Sequence, residues 1–194
     1  MSIVAASPSR WNLPNALTLG RIVLVPLLVV VLLTKFEGRM IFGVRKELVG
    51  AAIFGIASLT DWLDGYLARR RKQVTTLGQL LDPLADKLLV TAALISLVQM
   101  DQAPAWMVAI ILGREFAVTV LRAMAHGQGH VIPASPLGKF KMVSQIVAIL
   151  ALILGEHHLG PIFFIGIVAL WIATATALVS AVDYYRRYNH VIGM

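Results

Sequence analysis

Cysteine is absent from all 194 residues, which excludes disulfides, thiol nucleophiles and cysteine-ligated zinc or iron–sulfur centres. Charge is scarce. Only 14% of residues are Asp, Glu, Lys or Arg, where a soluble domain carries about a quarter. Acid is scarcest, with ten Asp and Glu against seventeen Lys and Arg, a formal net charge of +7. Long polar stretches, internal repeats and low-complexity tracts are missing too, so a separate second domain has no room. The N-terminal MSIVAASPSR lacks the basic-then-apolar start of a cleaved signal. What fills the chain is apolar: 58% hydrophobic residues and a mean hydropathy of +0.80. The reading is an all-α integral membrane protein of several spans.

Six transmembrane helices are expected. The first covers about Ala16–Leu33, after an interfacial segment opened by Trp11 and Pro14. A mixed-charge loop, TKFEGRMIFGVRKE, precedes a second span from Leu48 to Leu67. A third ends near Gln99, before the turn Asp101–Pro104. The fourth runs Ala105–Ala125, the fifth from Gly138 to Gly155, and the sixth Ile162–Val182. This divides the chain into a start (1–15), one six-helix domain (16–187) and a tail (188–194). With both termini cytoplasmic, Lys35, Arg39, Arg45 and Lys46 fall outside, while ten Lys and Arg fall inside. That satisfies the positive-inside rule for a plasma-membrane protein. The basic excess then serves anionic membrane lipids, and no nucleic-acid partner is implied.

The chain is organised around Thr60–Lys87, TDWLDGYLARRRKQVTTLGQLLDPLADK, which holds four of the ten acidic residues. Asp61 and Asp64 are three apart and Asp82 and Asp86 four apart, so each pair shares a helix face. Gly65 and Ala68 leave room beside the first pair, and Arg69 follows at its edge. Carboxylates in the last turns of a membrane helix are expensive unless a cation or a watered pocket receives them. Four that converge suit a hard divalent ion, Mg²⁺ or Mn²⁺, bound through oxygen. Asp82-Pro83 reads either as a cap with a first-turn proline or as a kink in a helix begun near Gly78.

The remaining unusual residues gather at the same side: Arg114, Arg122, Lys139 and Lys141. Arg114 lies too far along its span for a headgroup anchor, and it points to a side similar to that of Arg122, eight residues on. Metal-clamped phosphates beside a cationic patch suggest phosphoryl-group chemistry on a lipid, with a carboxylate to take a hydroxyl proton. The competing readings are an ion pathway, or a scaffold in which the carboxylates only tie helices together. Glu115 reads as a partner that neutralises Arg114. Arg21 is either a snorkelling anchor or a residue that reaches the polar site. His126, His130, His157, His158 and His190 read as loop residues, and Tyr184 and Tyr185 as interfacial anchors.

Asp61-x-x-Asp64-Gly65-x-x-Ala68-Arg69, eight residues, then Gly78-x-x-x-Asp82-x-x-x-Asp86 resembles the signature of the CDP-alcohol phosphotransferase family. All eight positions are present at the family's spacing. Asn12-Leu13-Pro14-Asn15, Thr18, Arg21, Gly113-Arg114-Glu115, Arg122 and Gly138-Lys139-x-Lys141 resemble further segments of the branch that uses glycerol 3-phosphate. The resemblance implies the family's six-helix fold, often as a homodimer, with a cytoplasm-facing divalent-metal site. It implies CDP-diacylglycerol as donor, release of CMP and glycerol 3-phosphate as acceptor. Sister branches use inositol phosphate, serine or phosphatidylglycerol. It assigns Asp61, Asp64, Asp82 and Asp86 to the metal, and Asp86 also as general base. It puts Asp64, Gly65, Ala68, Arg69 and Gly78 around the CDP moiety.

Overall fold

A computed structural model describes residues 13–34, 40–41, 43–71, 76–127, 136–155 and 160–188. Side chains at 13–17, 61–71, 76–83, 126, 136–137, 139, 160 and 187–188 lie outside the description. Among the described residues there are six helices: α1 (Leu13–Leu33), α2 (Lys46–Arg71), α3 (Thr76–Gln99), α4 (Ala105–Gly127), α5 (Pro136–Gly155) and α6 (Gly160–Tyr188). One short hairpin, β1 (Met40–Ile41) and β2 (Val44–Arg45), separates α1 from α2. The all-helical reading therefore holds apart from this ladder, in a stretch expected to be irregular. Gly43, at φ 76°, supplies its left-handed turn residue.

In the N-terminal unit, which ends at Ala93, α1 packs against α2. Helix α1 starts three residues before the expected span and takes Pro14 into its first turn, where a missing N–H costs nothing. No break separates an interfacial segment from it between Leu13 and Leu33. Lys46 and Glu47, read as loop charges, are buried in the first turn of α2. Lys46 Nζ donates to the Leu32 carbonyl at 2.9 Å, filling one of the acceptors that a helix C-terminus leaves open. Arg21 is 1% exposed, so it does not snorkel into headgroups. Helices α2 and α3 both overrun their expected limits. Helix α2 continues to Arg71 and α3 begins at Thr76, so most of the expected link is helical. Gly78, Asp82 and Pro83 then lie inside a helix, which excludes the capped-proline alternative.

The C-terminal unit begins at Leu94. At the end of α3, Gln102 N–H bonds to the Leu97 carbonyl (2.9 Å) and Asp101 N–H to that of Val98 (3.0 Å). This is the paired closure of a helix by one left-handed residue, filled here by Asp101 at φ 59°. Helix α6 packs along α5 and against α4. The α5–α6 seam is tight because glycine lies in it. A Cβ on Gly166 would stand 2.9 Å from the Leu152 nitrogen, and one on Gly155 2.5 Å from Phe163 Cα. Such small-residue contact is how helices associate where the surroundings are as apolar as they are.

Pro161–Arg186 is long and apolar enough to cross a membrane, with a mean hydropathy of 2.5 over its best window and a third of that window buried. Thr18–Leu33 and Phe140–Gly155 are apolar but shorter. Large apolar side chains also face outward on the other helices, among them Val23 on α1, Leu59 on α2, Ile95 on α3 and Phe116 on α4.

Candidate functional site

The two halves of the aspartate motif occupy consecutive helices. Asp61, Asp64, Gly65, Ala68 and Arg69 lie in the last turns of α2. Gly78, Asp82 and Asp86 lie in the first three turns of α3. Continuous helix through both halves puts Asp61 about 4.5 Å in rise from Asp64, and Asp82 about 6 Å from Asp86, each pair on one face. The side chains of Asp61, Asp64, Arg69 and Asp82 fall outside the described residues. Asp86 is half-buried, beside Ala85 (0% exposed) and one turn before Leu89 (1%), at the edge of the packed face of α3. The donor set is four carboxylates with no nitrogen or sulfur, which fits a hard divalent cation.

A second cluster is assembled within the C-terminal unit. The packed face of α4 runs Met107, Ile111, Val118, Leu121 and Ala125, all buried. Their spacing alternates between three and four, and Arg114 occupies the place in the series that an apolar residue would take. A guanidinium there needs partners, because a buried unpaired charge is costly. It has several. Arg114 Nη1 donates to Glu115 Oε1 at 2.8 Å, and Arg114 Nη2 donates to Ser180 Oγ on α6. Its Cζ lies 5.6 Å from the centre of the Tyr184 ring. Lys141, 4% exposed on α5, donates to the same Glu115 Oε1. Glu115 therefore neutralises Arg114, as its position suggested, and Lys141 as well.

Arg122 joins from the other side. Its Cζ is 5.4 Å from the Tyr184 ring centre, and Nη2 donates to the phenolic oxygen at 2.5 Å. Tyr184 packs with Val118 and Leu121 between the two arginines. It is 3% exposed, so it is no interfacial anchor. Tyr185, 56% exposed, keeps that reading. The structure thus brings Arg114, Arg122 and Lys141 together with Glu115, while the Lys139 side chain lies outside the described residues. Among the contacts of the described residues given above, Arg114, Arg122 and Lys141 bring three positive charges and Glu115 one carboxylate. Within this cluster, the buried Arg114 Nε has no hydrogen-bond partner among the described residues. Arginine and lysine donors of this kind are the groups that pair with phosphate oxygens where a phosphate is bound.

Ser180 was not singled out from the sequence and Tyr184 was read only as an anchor, although a signal for both exists. Leu170, Ala173, Thr174, Ala177, Ser180 and Tyr184 recur at helical spacing, and each is 3% exposed or less. The column of mostly small residues marks the packed face of α6 and ends on Tyr184 rather than Tyr185.

Comparison with known proteins identifies the family. A family model described as CDP-alcohol phosphatidyltransferase matches residues 11–179. A Bacillus subtilis protein named CDP-diacylglycerol–glycerol-3-phosphate 3-phosphatidyltransferase is 48% identical over 91% of this chain and 95% of its own length. The Rickettsia typhi protein of the same name is 38% identical over 90% and 96%. A Mycobacterium tuberculosis protein named probable phosphatidylglycerophosphate synthase is 41% identical over 94% and 84%. With the full aspartate motif on α2 and α3 and a match across most of its length, the chain belongs to the CDP-alcohol phosphatidyltransferase family.

Proposed function

We infer that this protein transfers a phosphatidyl group from CDP-diacylglycerol to sn-glycerol 3-phosphate, giving phosphatidylglycerophosphate and CMP. The names of the three relatives support that acceptor over inositol phosphate, serine or phosphatidylglycerol. Asp61, Asp64, Asp82 and Asp86 would hold the divalent ion, Mg²⁺ or Mn²⁺. When bound, it supplies charge neutralisation at the pyrophosphate. Gly65, Ala68 and Gly78 give the CDP moiety close access to the helix backbones, and Arg69 and Asp64 border it. Asp86 receives the proton of the acceptor hydroxyl as its oxygen attacks the lipid-linked phosphorus. The bond from that phosphorus to the CMP oxygen breaks in the same displacement, without a covalent enzyme intermediate.

The observation that supports a phosphate-bearing acceptor is the group of cations around Glu115 and Tyr184, and the relatives' names select glycerol 3-phosphate among such acceptors. Arg114, Arg122 and Lys141, with Lys139 two residues before Lys141, would hold the dianionic phosphate of glycerol 3-phosphate. The unburied apolar length of α6 and the outward-facing aliphatic residues of the other helices support a six-span protein of the plasma membrane. Its polar sites face the cytoplasm among anionic lipids, and the working unit is a homodimer.

The test is CMP release from CDP-diacylglycerol by purified protein in detergent, with each acceptor in turn. Glycerol 3-phosphate is expected to support turnover and excess EDTA to abolish it. Arg114→Ala and Lys139→Ala should each raise KM for glycerol 3-phosphate while leaving KM for CDP-diacylglycerol nearly unchanged. Turnover with serine or inositol phosphate in preference to glycerol 3-phosphate would refute the acceptor. Full activity in EDTA would refute the metal.

A further inference from the structure

We propose that Tyr184 is a positioning residue for the acceptor: it holds Arg114 and Arg122 as one phosphate-binding pair. The proposal rests on the acceptor reading above and adds what fixes the geometry of that site. The two arginines are eight residues apart on α4, a rise of about 12 Å. Like charges on long side chains would separate into the available space, yet both guanidinium groups lie against one ring, 5.6 and 5.4 Å from its centre. The negative face of the ring attracts both cations. The phenolic oxygen also fixes Arg122, whose residue is otherwise exposed. Arg114 is held by Glu115 and Ser180 in addition. Arg122 therefore depends on Tyr184 more than Arg114 does. Both guanidinium groups keep donors that the tyrosine does not use, and these are the donors an anion would take. A tyrosine that served only to fill space between α4 and α6 would need neither cation.

The full-length enzyme in detergent, with one substrate varied at a time, tests this. Tyr184→Phe keeps the ring and removes the hydroxyl. Tyr184→Leu removes both and keeps an apolar side chain against Val118 and Leu121. Tyr184→Phe is expected to raise KM for glycerol 3-phosphate about threefold and Tyr184→Leu about tenfold, with kcat and the donor KM within about twofold of wild type. Competitive inhibition by inorganic phosphate should weaken in the same order. Arg122→Ala added to Tyr184→Leu should cost much less than it does in the wild-type background, because the pair acts as a unit. If Tyr184→Leu does not fold, Tyr184→Phe and the phosphate inhibition constant decide the matter alone. Equal loss in both KM values, or in kcat alone, would mean a structural role and overturn the proposal. An unchanged acceptor KM in the Tyr184 variants, with a raised one in Arg122→Ala, would also overturn it while sparing the acceptor reading. No change in acceptor KM for Arg114→Ala and Arg122→Ala alike would remove that reading and the proposal with it.

Discussion

Replacing Glu115 by glutamine removes one negative charge and almost no volume. Its oxygen Oε1 accepts from Arg114 at 2.8 Å and from Lys141, and its side chain is 24% exposed. At an effective dielectric of about 20, one such contact is worth on the order of 6 kcal/mol before desolvation. Most of that is lost to desolvation, and breaking a buried pair leaves a net cost of about 3 kcal/mol. Glutamine still offers a carbonyl, so a hydrogen bond to one cation survives, and the expected destabilisation is about 2–3 kcal/mol. For a chain of this size that is a fall of on the order of 5–10 °C in the unfolding midpoint. Direction under ligand is the sharper test. With Glu115 neutral, the local excess over Arg114, Arg122 and Lys141 grows by one unit, so an anion relieves more repulsion in the variant than in wild type. Thermal unfolding in detergent micelles, with and without inorganic phosphate, is the assay. Phosphate should raise the midpoint of Glu115→Gln by more degrees than it raises wild type. A variant as stable as wild type, or one on which phosphate acts no more strongly, would refute the reasoning.

Asp86→Asn should bind CDP-diacylglycerol better than it turns it over. A donor dissociation constant and single-turnover CMP release measure the two, and near-normal release would remove Asp86 from the base role. Gly166→Ala puts a methyl against the Leu152 backbone and should cost about 1–3 kcal/mol, read as a lower unfolding midpoint. An unchanged midpoint would show that the α5–α6 seam can open. Asp101→Gly relieves a left-handed Asp at the end of α3 and should stabilise by about 0.5–1 kcal/mol. A lower midpoint would mean that the Asp101 side chain does more for the turn than its backbone costs.

The sequence exposed the helices more readily than their ends. Hydropathy locates where an apolar environment begins, whereas a helix persists into polar residues as long as its backbone bonds are made. Helix α2 therefore runs through Asp61 and Asp64 to Arg71, and α6 runs through Asp183 to Tyr188. Lys46 was misread for a related reason. A lysine among loop charges looks solvated, and nothing local announces that the open carbonyl of Leu32, fourteen residues earlier, will receive it. The family motif on α2 and α3 was legible because it is written in fixed spacings. The Arg114 cluster was legible in part: a mid-span arginine must find partners, and Glu115 adjoins it. Ser180 lies sixty-six residues from Arg114, and only the phase of the small residues along α6 could have paired them. Arg-rich flanks made Tyr184 look like an anchor, although its register placed it inside.

Gly166 lies fourteen residues before Ser180 on α6, about four turns and roughly 20 Å away. Its missing side chain lets α6 settle against Leu152, on the same helix that carries Ser180 and Tyr184. The seam behaves as the tuning peg of a string that sounds at its other end. On the acceptor reading proposed above, inherited changes among these small residues are expected to shift how tightly the acceptor is held while every charged residue is retained. Among homologues that share one set of charges but differ in acceptor affinity, the differences should be sought along this uncharged column.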